Sequence, residues 1–104
     1  MIRDVSRTAM KLYYVYILKC SDDSYYTGFT SNLSQRIFEH ASGKYPDSYT
    51  HSRLPIDLVF YCEFTEAGFA IDKEKQIKKW SRAKKEALIA GNYEELPNLA
   101  KKKF

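Results

Sequence analysis

The sequence predicts an α/β fold: one small domain in which a three-stranded antiparallel sheet is flanked by helices. Three observations lead there. Residues 11–20, KLYYVYILKC, are dense in aromatic and β-branched side chains, the composition of a strand interior. A second run, Tyr25-Tyr26-Thr27-Gly28-Phe29, returns after four turn-forming residues, so the two pair as a hairpin. Two later stretches carry apolar residues at helical spacing, on either side of a third apolar strand.

Taken in order, residues 1–9 (MIRDVSRTA) show no periodicity and precede Met10-Lys11, itself a plausible start, so residues 1–10 are expected to be a disordered extension. In the hairpin, Ser21-Asp22-Asp23-Ser24 supplies short side chains that bond back to the local backbone. Gly28 lets the returning strand bend or be approached closely. Thr30 or Ser31 is the expected cap of a first helix with an apolar stripe of Leu33, Ile37 and Ala41, closed by Ser42-Gly43.

Residues 44–55 (KYPDSYTHSRLP) read as a loop, from two prolines and a polar content. Residues 57–64 (DLVFYCEF) are apolar enough for a strand that is central or covered on both faces. Thr65 then caps a second helix over residues 66–80, burying Phe69, Ala70, Ile77 and Trp80. Ser81 caps a third helix over residues 82–90, stopped by Gly91. A last turn follows at residues 92–97. The domain is thus assigned to residues 11–97, with a basic tail at 98–104.

The bulk composition excludes several classes. With 104 residues, 44% hydrophobic and 15% aromatic, the chain is a single folded domain rather than a disordered one. No apolar run approaches the ~20 residues of a membrane helix, and no signal peptide is visible, so a cytoplasmic location is expected. Cys20 and Cys62 lie in strand-like settings without a Cys-x-x-Cys pair, which predicts free thiols.

The net charge of +4 comes from 17 Lys and Arg against 13 Asp and Glu. Lys73, Lys75, Lys78, Lys79, Arg82, Lys84 and Lys85 crowd together, and Lys101-Lys102-Lys103 closes the chain. Such clusters suit a phosphate backbone, although a mixed Lys/Glu helix is equally a solvated face. The loop adds Tyr45, Tyr49, His51 and Arg53, where aromatic and basic groups can stack on bases and hold phosphates, or simply tuck onto the core.

Some residues are placed for chemistry. Tyr16 and Tyr26 sit on paired strands, so their hydroxyls can converge. Arg36 and His40, four apart, share a helix face at the border of the apolar stripe. Glu74 lies between Ala70 and Ile77, where a carboxylate needs a cation or a metal. Lys78, four residues on, is the simplest partner, and spacing alone favours it.

Tyr14-Val15-Tyr16, then Tyr26-Thr27-Gly28, then Arg36 resembles the signature of the GIY-YIG nuclease superfamily. The similarity runs from about Met10 to Leu96 and is greatest to the small stand-alone bacterial branch, the YhbQ-like proteins. Tyr14 replaces the first Gly of the signature, and Thr27 replaces the Ile of its second triplet. The resemblance implies a GIY-YIG domain with Tyr16, Tyr26, Arg36 and Glu74 as catalytic residues and His40 as an accessory one. It makes Glu74, in the run Glu74-Lys-Gln-Ile-Lys-Lys-Trp80, the ligand of a divalent metal, Mg²⁺ or Mn²⁺. It also makes Asn92 a weaker candidate, while the basic cluster and the loop offer Lys73, Lys78, Arg53 and His51 as contacts to nucleic acid.

The expected function is a metal-dependent endonuclease that hydrolyses phosphodiester bonds in DNA, acting in repair, recombination or uptake. Tyr16 is the expected general base, directly or by relay through His40. Its pKa, ordinarily about 10, is expected to be lowered by Arg36 and the metal. Arg36 holds non-bridging oxygens, Glu74 holds one Mg²⁺, and Tyr26 orients water or phosphate. The alternative is a nucleic-acid-binding module that keeps the fold without cutting.

Overall fold

A computed structural model of the chain describes residues 11–92. The expected extension at residues 1–10, the end of the last turn and the basic tail lie outside the described residues. Strand β1 (Tyr13–Lys19) turns into β2 (Tyr25–Thr30), followed by helix α1 (Leu33–Ser42). A short 3-10 turn (His51–Arg53) leads to β3 (Asp57–Phe64), and helices α2 (Ala67–Lys78) and α3 (Arg82–Ala90) complete the order.

The sheet is three-stranded and antiparallel, as expected, with order β2-β1-β3. The central strand is β1, whose Val15, Tyr16, Ile17 and Leu18 are all buried. The expectation of a central or doubly covered β3 is corrected: it is an edge strand, and Tyr61 on it is half exposed. Its apolar content serves one face, where Phe60, Cys62 and Phe64 pack against the core. The hairpin turn closes as predicted, with Asp22 accepting from the Ser24 amide and Asp23 in the left-handed region at φ 70°.

Side-chain alternation gives the sheet two different faces. Val15 and Ile17 of β1 point to one, where they meet Ala70 and Ile77 of α2 and Leu88 of α3 in the hydrophobic core. Tyr14, Tyr16 and Leu18 point to the other, together with Tyr26 and Gly28 of β2 and Tyr61 and Glu63 of β3. This second face carries the polar groups, and α1 meets it through His40.

Local corrections follow from these packings. Helix α1 is capped by Asn32, whose side chain accepts from the Gln35 amide, and not by Thr30 or Ser31. Thr30 instead holds the approach by accepting from the Asn32 amide. The predicted stripe on α1 is not its buried side: Leu33 and Ile37 are half-buried, Ala41 is exposed, and Glu39 and His40 are buried. His40 joins this helix to the sheet and to the loop by hydrogen bonds.

Helix α2 is shorter than residues 66–80, with Glu66 rather than Thr65 at its N-cap. Phe69 on it is 67% exposed, not buried, because only the narrow line of Ala70 and Ile77 faces the sheet. Trp80 packs at the border of that core. Helix α3 begins and ends as predicted, with Ser81 accepting from the Lys84 amide and Gly91 at φ 80°. Both cysteines are free, Cys20 buried and Cys62 half-buried.

Candidate active site

Tyr16 is the centre of the polar face. It is 1% exposed and stands directly across the strand pair from Gly28. A Cβ built at position 28 would lie 2.9 Å from Cε2 of Tyr16 and closer still to Cζ and Oη. The ring therefore occupies the space that a side chain on β2 would fill, which is the close approach the glycine permits.

The Tyr16 hydroxyl is 3.0 Å from Nε2 of His40, and Nδ1 of His40 is 2.8 Å from Oγ1 of Thr50. Thr50, 1% exposed, continues to Ser48 Oγ at 2.9 Å. A hydrogen-bonded chain, buried from Tyr16 to Thr50, thus runs Tyr16–His40–Thr50–Ser48 and joins the sheet, α1 and the loop. Tyr26 closes the group, with ring centroids 6.3 Å from Tyr16 and 5.2 Å from His40. Tyr49 stacks on Tyr26 at 5.8 Å, so part of the loop tucks onto the site.

Sequence reasoning brought Tyr16, Tyr26 and His40 together correctly. It missed Thr50 and Ser48, ten and eight residues beyond His40, because no spacing rule connects a helix to a loop that folds back on it. It also missed Glu39, whose position three residues after Arg36 on one helix was a usable signal. The Arg36 guanidinium donates to Glu39 Oε1 at 3.2 Å, and Glu39 is buried and also accepts from Gln35. Arg36 lies over the Tyr45 ring at 5.6 Å.

The electrostatics differ from expectation in one respect. Burial, reinforced by Tyr26, pushes the Tyr16 pKa up to about 12, while Arg36 beside it pulls the other way. The expected lowering by Arg36 is present, but desolvation of the buried phenol outweighs it. His40 is pressed below its ordinary value by burial and then by the Arg36 charge, so its imidazole is neutral at physiological pH. Burial opposes the charge of Arg36, but its contacts with Tyr16 and Glu39 outweigh this and keep it a fixed cation.

Glu74 comes from α2, the helix that covers the opposite face against β1 and β2. Its charge still reaches Tyr16, adding a smaller upward push. Its side chain is 16% exposed and forms an ion pair with Lys78 at 2.9 Å, the partner that spacing favoured. Among the described residues no three His, Cys, Asp or Glu side chains cluster as a metal site. A single half-buried carboxylate nonetheless fits Mg²⁺, which often takes one or two protein carboxylates and fills its octahedron with water and phosphate oxygens.

The other candidates are more dispersed. Arg53 donates to Asp22 at 3.1 Å and to the Tyr49 carbonyl at 2.7 Å, and lies 3.9 Å from the Tyr49 ring centroid. His51 is exposed in the 3-10 turn. Lys73 donates to Gln76, while Lys78 is held by Glu74. Asn92 is exposed just past α3, its amide donating to the Ala87 carbonyl as part of the helix stop.

Comparison with known proteins shows the family and the fold. Residues 12–87 match the GIY-YIG catalytic domain. The chain is 48% identical over 83 residues to a UPF0213 protein of Syntrophus aciditrophicus, covering 80% of this chain and 95% of that one. It is similar in structure to the UPF0213 protein BH0048 of Bacillus halodurans, at TM-score 0.51 and 44% identity over 76% of this chain and 83% of the other. Protein EF2693 of E. faecalis is likewise similar, at TM-score 0.56 and 30% identity over 80% and 88% of the two chains. No helix among the described residues is long and apolar enough to cross a membrane.

Proposed function

Because the chain belongs to the GIY-YIG catalytic-domain family, we propose that it is a metal-dependent endonuclease hydrolysing phosphodiester bonds in DNA. The observation that carries this reading is the Tyr16 hydroxyl, held over Gly28 and 3.0 Å from a neutral His40, with the Arg36 and Glu74 charges both acting on it.

Hydrolysis needs a base for water, a cation for the charge growing on the non-bridging oxygens, and a proton for the leaving oxygen, which solvent supplies. Tyr16 takes the proton of the attacking water. His40 Nε2, neutral and 3.0 Å away, holds the Tyr16 hydroxyl in position, and the phenol proton is lost to solvent before Tyr16 acts. Thr50 fixes the imidazole from the other nitrogen. Arg36, anchored on Glu39, presents its guanidinium to the non-bridging oxygens. Tyr26 orients water or phosphate beside Tyr16. Glu74 would hold Mg²⁺ or Mn²⁺ in place of its bond to Lys78. The metal, when bound, supplies positive charge to the phosphate oxygens.

Contacts along the strand come from Tyr45, Tyr49, His51 and Arg53 of the loop and from the lysines of α2 and α3, with Lys73, Lys78 and Asn92 as further candidates. The basic groups favour a polyanion, and the aromatic ones favour bases.

A second reading is a nucleic-acid-binding module that does not cut. It is favoured by the existing Glu74–Lys78 ion pair and by the high pKa of Tyr16. Incubation with labelled single strands, duplexes and branched junctions, in Mg²⁺, in Mn²⁺ and in EDTA, separates the two. Cleavage of any of these in metal but not in EDTA supports the enzyme. Binding without cleavage under every condition supports the module.

A further inference from the structure

A groove of about 340 Å³ opens on the polar face of the sheet, beside the Tyr16 cluster. Its walls include Tyr14 of β1 and Tyr61 of β3, whose rings meet edge to face with centroids 6.3 Å apart. Tyr61 pairs directly with Tyr16 across the sheet, and Glu63 pairs with Tyr14. Adjacent strands lie about 4.8 Å apart, and the Tyr16 hydroxyl lies over Gly28 of β2, so β3 and the groove begin about two strand spacings from it. Tyr14 is also the residue that departs from the first Gly of the family signature.

The chemistry of the lining selects its occupant. Tyr61 is 51% exposed, which leaves aromatic surface open for stacking. The charged group lining the groove is the carboxylate of Glu63, and no Lys or Arg is among the described residues around it. The start of α1, residues 31–34, also lines the groove and its amides favour an anion, but a phosphate beside Glu63 would be repelled by its carboxylate. A base would not, because it brings an uncharged π-face to the tyrosines and N–H donors to the carboxylate. An ionised carboxylate only accepts hydrogen bonds and can take two at once. Guanine offers two adjacent donors on its Watson–Crick edge, whereas thymine offers a single N–H between two carbonyls. That edge is available only when the base is unpaired.

We propose that this groove is a subsite for an unpaired base of the strand whose phosphate lies at Arg36 and Tyr16, and that Glu63 makes it favour guanine. The subsite rests on the reading that the chain acts on nucleic acid, and it narrows the substrate to single-stranded or locally opened DNA. Stacking on Tyr61 supplies affinity, and the Glu63 carboxylate supplies the preference.

The test is fluorescence anisotropy in EDTA, so that binding is measured without cutting. The probes are labelled oligothymidylates of about ten nucleotides, with none or one of the thymines replaced by guanine. Wild type should bind the guanine-containing strand roughly tenfold more tightly, the scale of a bidentate contact to a base. Glu63→Gln should bind both strands equally, at the level of wild type on oligothymidylate. Tyr61→Ala should weaken both by roughly tenfold, as expected for loss of one stacking platform. Both side chains are exposed on an edge strand, and circular dichroism checks that each variant folds.

If wild type binds and cuts DNA but shows no guanine preference, or keeps it in Glu63→Gln, the subsite is wrong and the nuclease reading stands. A dimer that dissociates in Tyr61→Ala, with oligonucleotide affinity unchanged, assigns the groove to a second copy and likewise overturns it. Failure of wild type to bind any strand removes both readings.

Discussion

Gly28 faces Tyr16 across the β1–β2 pair, and the Tyr16 ring fills the volume that a side chain at position 28 would need. The relationship makes a glycine on β2 a condition for the placement of a hydroxyl on β1. Gly28→Ala must push the ring away or strain the pair, and overpacking of this kind costs about 1–3 kcal/mol. The check is a double-mutant cycle in urea. The cost of Gly28→Ala should largely vanish when Tyr16 is already alanine. An equal cost in both backgrounds would show that the strand, and not the ring, rejects the methyl group.

Thr50 is buried and holds the far nitrogen of His40 at 2.8 Å. Thr50→Val keeps the shape and removes the hydroxyl. Stability should fall by about 1 kcal/mol, while the cleavage rate falls roughly tenfold, as when an orienting partner of a site histidine is lost. The alkaline limb of the pH–rate profile should be unchanged in form, because Tyr16 is untouched. A rate equal to wild type would reduce Thr50 to a packing residue.

The pH dependence follows from the two shifts. Tyr16 as base acts in its deprotonated form, and its pKa is pushed up to about 12, so the rate should climb with pH across neutrality and beyond. His40 must be neutral, and its pKa lies below the ordinary value, so it limits the rate only on the acid side. Tyr16→Phe keeps the ring over Gly28 and should lose roughly 10²-fold or more in rate. His40→Ala should lose less. A plateau by about pH 7.5 together with a near-normal Tyr16→Phe enzyme would transfer the base to His40.

Thr27 shows a cost that the fold tolerates. It sits opposite Ile17 on the core face, 3% exposed, and its hydroxyl has no partner among the described residues. Burying an unbonded hydroxyl costs about 1–3 kcal/mol, so Thr27→Val should raise the unfolding free energy by roughly 1 kcal/mol. Chemical denaturation at neutral pH measures this directly. A destabilised valine variant would mean that the hydroxyl has a partner in solution.

The sequence showed the hairpin and the convergence of Tyr16 and Tyr26 because strand alternation is a local rule. Pairing Tyr16 with Gly28 puts Tyr26, two residues from that glycine, on the same face. The edge position of β3 was hidden, since Asp57–Phe64 is as apolar as a central strand and sheet order depends on distant pairing. The buried side of α1 was misread for a similar reason. Leu33, Ile37 and Ala41 have the right period, yet the buried contact of the helix with the sheet and the loop runs through His40. Thr50 escaped because its partner lies across a loop. Glu74 was located correctly on its helix, and spacing found Lys78. Only the resemblance suggested a metal.

The role of Glu74 is the claim on which the enzyme reading depends. The measurement is the cleavage rate of Glu74→Ala beside wild type in saturating Mg²⁺, on whichever strand form wild type cuts, with EDTA as the control. Glu74 leads only to Lys78 among the described residues, at the edge of the core, so its removal should leave the fold and most of the DNA affinity intact. The account predicts that wild type cuts in Mg²⁺ and not in EDTA, and that Glu74→Ala, folded and bound to the same strand, does not cut. Equal cleavage by the two proteins in Mg²⁺ would contradict it.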